Sequence, residues 1–101
     1  MLTNEQDQRR TLLYILGAEI RKRGKPFPVK HGCHWDLILP NGIRFYHDDF
    51  NHAITAFFPD GRGRFIPLYF GCDFGGFESK ATIEQFNDAL NGVRLTNYKE
   101  A

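Results

Sequence analysis

Two short turn signatures constrain this chain more than anything else in it. Pro40-Asn41-Gly42 and Asp60-Gly61-Arg62-Gly63 each stand between runs rich in Ile, Leu, Phe and Tyr. Glycine and Asn tolerate the left-handed backbone that tight hairpins need, while the flanking β-branched and aromatic residues favour extended chain. The pattern predicts two β-hairpins, with strands over about 34–40, 43–49, 52–59 and 64–71. A two-residue Asn41-Gly42 turn would pair Ile38 with Phe45 and Asp36 with His47 on one side. On the other it would pair Trp35 with Asp48, Leu37 with Tyr46 and Leu39 with Arg44. A four-residue second turn would set Phe58 against Phe65, Phe57 against Ile66 and Ile54 against Tyr69.

Helices flank this block. Leu12, Leu13, Ile15, Leu16 and Ile20 recur at spacings of three and four, with Glu5 and Asp7 before them and Arg21, Lys22 and Arg23 after, as the helix dipole favours. Thr3 suits the N-cap with Gln6 as its capping-box partner, and Gly24 suits the stop, so a helix is predicted over about 4–23. Lys25-Pro26-Phe27-Pro28 is a linker or an edge strand, because each proline drives its predecessor into extended geometry. Ile83, Phe86 and Leu90 form the stripe of a second helix over about 80–91, started at Ser79 or Thr82 and stopped by Gly92; Val93-Arg94-Leu95 could add a short strand. The expectation is one α+β domain over 1–101: a four-stranded antiparallel meander between two helices, in the order α-β-β-β-β-α.

Composition limits the function classes. Net charge is +1 and pI about 7.8, well below the basic signature of a dedicated nucleic-acid binder. Residues 1–30 hold seven Lys or Arg against three acids, and the rest six against nine. No apolar run approaches the roughly 20 residues of a membrane helix, and MLTNEQDQRR lacks the apolar core of a signal peptide, so no membrane partner and a cytoplasmic location are expected. Cys33 and Cys72, the two cysteines, are too few for a secreted disulfide scaffold and read as thiols.

Chemistry-bearing residues gather between His31 and Phe77. His31, Cys33 and Cys72 are metal-ligand types, but structural zinc sites use pairs of ligands on two arms, and Cys72 stands alone on its arm; no metal or other cofactor is expected. The anticipated Asp36–His47 pair would set a carboxylate against an imidazole, as acid–base catalysis needs. Arg21, Lys22, Arg23, Lys25 and Lys30 form a basic cluster able to meet phosphates. Gly71, Gly75 and Gly76 precede a helix without a P-loop's lysine and hydroxyl. Gly32-x-His34, followed by Pro40-Asn41-Gly42 after an N-terminal helix, resembles the glycine–histidine strand and hairpin of HicA-type RNA-cleaving toxins. The resemblance covers Gly32 to Gly42, implies a catalytic role for His34, and leaves the second hairpin as an addition to that family's shorter sheet.

The other signal is an apolar surplus. Aromatic residues make up 15% of the chain, and large apolar groups fall on both faces of the predicted sheet, where a half-solvated sheet alternates. Two helices cover one face; the other must curl upon itself or meet a macromolecule. Trp35, Arg44, Tyr46, Phe50, Arg62, Arg64 and Phe74 are residue types that interfaces favour. The expectation leans away from an enzyme, toward a small binding or regulatory protein acting on another protein or on a second copy of itself. An inhibitor of a host complex, encoded by a mobile element, is one concrete form of that role. The alternative is a small toxin-like ribonuclease or RNA-binding protein using His34 or the Asp36–His47 pair.

Overall fold

The computed structural model describes residues 4–30, 32–72 and 79–96. Helix α1 (Asn4–Arg23) leads into β1 (Lys25–Val29), β2 (Gly32–Ile38), β3 (Arg44–Asp48), β4 (Ala53–Pro59) and β5 (Phe65–Cys72), and α2 (Ile83–Arg94) follows. The sheet is a five-stranded antiparallel meander in sequence order. The α+β class stands, with five strands rather than four. The additional strand is the proline-containing segment, paired on β2 from Lys25 opposite Asp36 to Val29 opposite Gly32. Pro26 and Pro28 lack N–H groups, but at alternate positions they turn those missing donors to the solvent side of an edge strand.

The first hairpin differs from expectation by one residue, and Pro40 is the reason. In a two-residue turn Pro40 would close the ladder against Ile43, where a backbone donor is required. Instead Leu39 N–H donates to the Ile43 carbonyl at 2.8 Å, and Gly42 N–H donates to the Leu39 carbonyl at 2.9 Å. Pro40, Asn41 and Gly42 form a three-residue loop, with Gly42 at φ 92° in the left-handed position such loops need. Trp35 therefore faces His47, Asp36 faces Tyr46, Leu37 faces Phe45 and Ile38 faces Arg44. The second hairpin shifts too. Asp60 N–H donates to the Arg64 carbonyl at 3.0 Å, and Phe58 pairs with Ile66 and Phe57 with Pro67. An irregularity between Ile54 and Thr55 then sets Thr55 opposite Tyr69 and Ile54 opposite Gly71.

These registers sort the side chains into two faces. Leu37, Phe45, His47, Ile54, Ala56 and Phe70 are buried, together with Leu13, Leu16 and Ile20 of α1 and Phe86, Ala89, Leu90 and Val93 of α2. Phe70 bridges the layers, 6.0 Å from Phe45 and edge-on to Phe86 at 4.9 Å between ring centroids. Full burial of each such ring contributes on the order of 2 kcal/mol.

Both helices therefore cover the same side of the sheet. Helix α2 begins at Thr82 with a complete capping box to Gln85, and it ends at Arg94 rather than before Gly92. Gly92 lies inside the helix, where an added Cβ would come within 2.9 Å of Leu39 Cδ1. Val93 and Arg94 are helical, so no strand forms there. Thr3 lies outside the described residues.

Candidate functional site on the uncovered sheet face

The opposite face carries Lys25 and Phe27 of β1, His34, Asp36 and Ile38 of β2, and Arg44, Tyr46 and Asp48 of β3. Thr55 and Phe57 of β4, with Phe65, Pro67 and Tyr69 of β5, continue it. These residues share a face because antiparallel partners project to the same side. Among the described residues no helix covers it. Phe65 remains 52% exposed and Ile66, at the same end of β5, 59% exposed.

One end of this face holds a chain of hydrogen bonds. His34 lies directly across from Asp48, and its Nε2 meets Asp48 Oδ1 at 3.0 Å. The other ring nitrogen, Nδ1, is hydrogen-bonded to the Tyr46 hydroxyl. With Nε2–H donating to the carboxylate, Nδ1 is left to accept the phenolic proton. The His34 ring stands edge-on to Tyr46 (5.1 Å) and to Phe27 (5.7 Å), which fixes its plane. Asp48 is held in turn: Oδ1 accepts from Phe50 N–H at 2.9 Å and Asn51 N–H at 3.3 Å, and Oδ2 accepts from Asn51 Nδ2 at 2.7 Å.

The electrostatics follow from these contacts. Burial pushes the Asp48 carboxyl upward, but the side-chain and backbone bonds from Asn51, the backbone bond from Phe50 and the nearby His34 together hold it below the ordinary carboxylate value. Tyr46 is raised by burial first, then by the Asp48 and Asp36 carboxylates. Its phenol stays protonated at neutral pH and serves as the donor to His34.

The middle of the face holds an ion pair. Asp36 grips Arg44 through two bonds, 2.6 Å to Nε and 2.9 Å to Nη2, with Lys25 opposite on β1. Beside it Arg44, Tyr46, Phe57 and Phe65 line an open depression of about 310 Å³.

The anticipated Asp36–His47 pair does not form, since the one-residue shift puts the two side chains on opposite faces. A carboxylate–imidazole pair exists, but between Asp48 and His34. His47 is 1% exposed, edge-on to Trp35 at 5.7 Å and close beneath Gly17 of α1. Trp35 thus belongs to the helix-covered side, packed against the core, and leaves the set of candidate docking residues. Arg44 and Tyr46 lie on the uncovered face, Phe50 is 64% exposed in the β3–β4 connection, and Arg62 and Arg64 are exposed at the β4–β5 turn. Phe74, Gly75 and Gly76 lie outside the described residues.

The basic residues of α1 and β1 are spread along the helix end and the edge strand. Arg23 is bonded to Glu19 and to the carbonyls of Arg94 and Thr96. Lys25 and Lys30 flank opposite ends of β1, roughly 16 Å apart at strand rise. Cys33 and Cys72 stand on β2 and β5, three strand spacings or about 14 Å apart, which rules out a shared ion. His31 lies outside the described residues, and no group of three or more ligands is assembled among those described.

Phe27, Phe57 and Phe65 were not anticipated as site residues, nor was the joining of His34 to both Asp48 and Tyr46. The missing N–H of Pro40 was the one sequence signal that could have revealed the register behind them. Comparison with protein-family models, curated proteins and solved structures finds no match.

Proposed function

We propose that this protein is a small binding module that docks another protein through the uncovered face of its sheet. The observation that carries this reading is the placement of both helices on one side. Tyr46, Phe57 and Phe65 are left on the other around an open depression. An aromatic centre with arginines at its margin, here Arg44, Arg62 and Arg64, is how protein interfaces are composed.

Charge and edges narrow the partner. Two basic groups of this face are already engaged, Arg44 by Asp36 and His34 by Asp48. Phosphate backbones need cations in excess, so this surface favours a protein over RNA, although His34 has the exposed-face position that the ribonuclease alternative requires. Strand addition is disfavoured at both edges. Pro26 and Pro28 blunt β1, while Pro67 interrupts β5 and Lys80 N–H already bonds the Tyr69 carbonyl. Docking face to face is the remaining mode, and an inhibitor that masks a partner's own surface would act in this way.

The test uses Phe65→Asp, which charges an exposed ring without touching the core. Wild-type protein immobilised in a lysate of its host is expected to retain a stoichiometric partner that the variant loses by at least tenfold, with equal thermal stability of the two proteins. Partner retention unchanged in Phe65→Asp would overturn the reading. So would a wild-type protein that is monomeric and retains nothing.

A further inference from the structure

The hydrogen-bonded chain at the β1–β2–β3 end of the face is a different kind of feature from the docking surface. Ion pairs on a sheet need two members; this one has three, in an order with chemical meaning. A hydroxyl donates to an imidazole, and the imidazole's second nitrogen is held by a carboxylate that is itself fixed by three further hydrogen bonds. A nucleophile within hydrogen-bond reach of a base, with that base oriented by a third group, is the arrangement that activates hydroxyls for covalent catalysis. The same tyrosine lines the depression with Phe57, Phe65 and Arg44, which sets the relay at the edge of that depression.

We propose that Tyr46 is a nucleophile, with His34 as its general base and Asp48 as the positioning residue, acting on uncharged aryl esters that carry an apolar, planar acyl group. The acyl group lies in the depression against Phe57 and Phe65. Tyr46 Oη attacks the carbonyl carbon while its proton passes to His34 Nδ1, and the carbonyl oxygen takes up negative charge with the Arg44 guanidinium, anchored by Asp36, beside the same depression. The bond from the carbonyl carbon to the leaving oxygen then breaks. Its electron pair stays on that oxygen, which takes the proton back from His34 and departs as the phenol. Tyr46 is left as an aryl ester. Water attacking the Tyr46 ester, with His34 again as base, then releases the acid and restores Tyr46. Phosphate esters fit less well, since the Asp36 and Asp48 carboxylates flank the site.

The test uses the whole chain and 4-nitrophenyl benzoate. The expected result is a burst of nitrophenolate close to one equivalent per chain, with one benzoyl group mapped to Tyr46 by peptide mass spectrometry. The rate should be at least tenfold above that of N-acetyltyrosinamide. Tyr46→Phe removes that label, and His34→Gln slows it tenfold or more. Asp48→Asn slows acylation while leaving the half-saturating ester concentration unchanged, which a loss of fold would not do. Circular dichroism establishes that each variant is folded. Wild-type Tyr46 that reacts no faster than the free amino-acid amide overturns the proposal without any variant. Labelling of lysines alone, or equal labelling of Tyr46 in folded His34→Gln, overturns it as well.

Discussion

Replacing Gly24 by alanine tests the junction on which the sheet hangs. Gly24 joins α1 to β1 and is buried, with its N–H bonded to the Ile20 carbonyl at 2.7 Å. A Cβ added there would lie 2.6 Å from the Ile20 carbonyl oxygen and 3.0 Å from that of Asp36. Both obstacles are backbone, one in the helix and one in β2, so neither can rotate away as a side chain would. Gly24 is also not one of the glycines with positive φ, which makes close approach, rather than left-handed geometry, the reason for glycine. Overpacking of this kind costs about 1–3 kcal/mol, and the rigid partners put this site toward the upper end. The smaller entropy of the unfolded alanine chain returns roughly 0.5–1 kcal/mol. The net expectation is a loss of about 2 kcal/mol, which for a domain near this size lowers Tm by about 8–16 °C. Urea denaturation followed by circular dichroism at 222 nm reads the effect as a lower midpoint with an unchanged slope. A midpoint equal to or above the wild type would refute the steric account and leave Gly24 as a mere helix stop.

Two further perturbations probe the charged groups. Arg23→Met keeps the aliphatic stem but removes the bonds to Glu19 and to the carbonyls of Arg94 and Thr96; a loss of about 1–2 kcal/mol is expected. Arg23→Lys should recover only part of it in the same denaturation assay, because one ammonium cannot reproduce the planar fork. Glu19, lowered first of all by its Arg23 hydrogen bond, should titrate higher in the Met variant when followed by NMR. Asp48 has a folded-state pKa below its unfolded one, so its contribution is fully present above the ordinary carboxylate value, near pH 4, and is lost as pH falls through the lower folded value. The wild type should thus lose stability more steeply below about pH 4 than Asp48→Asn does; equal acid slopes in urea titrations at stepped pH would count against the Asp48 contacts.

Much of the fold is legible in the residues alone, for reasons that are local. The apolar spacing from Leu12 to Ile20 and the charges at its ends suffice for α1. Thr82 and Gln85 announce the start of α2, and the glycine-containing turns place both hairpins. The apolar surplus on two sheet faces is likewise visible in the alternation of Phe57 and Phe58 or Tyr69 and Phe70. What the residues do not display is register. A strand repeats every two residues, so a single additional loop residue at Pro40 moves every side chain of β2 relative to β3. That shift separates Asp36 from His47, sends Trp35 and His47 beneath α1, and brings His34 to Asp48.

Glycine meaning is equally non-local. Gly24 and Gly92 look alike as stop signals, yet one lies between two carbonyls and the other lets Leu39 press into a continuing helix. The sequence by itself determined α1, the start of α2 and the strands of both hairpins, though not β1 or the last turn of α2, because periodicity and capping act between near neighbours. Only the tertiary structure decided which residues share that face. The Asp48–His34–Tyr46 chain and the Arg44–Asp36 pair depend on hydrogen-bonded alignment between strands, which no short stretch of sequence contains.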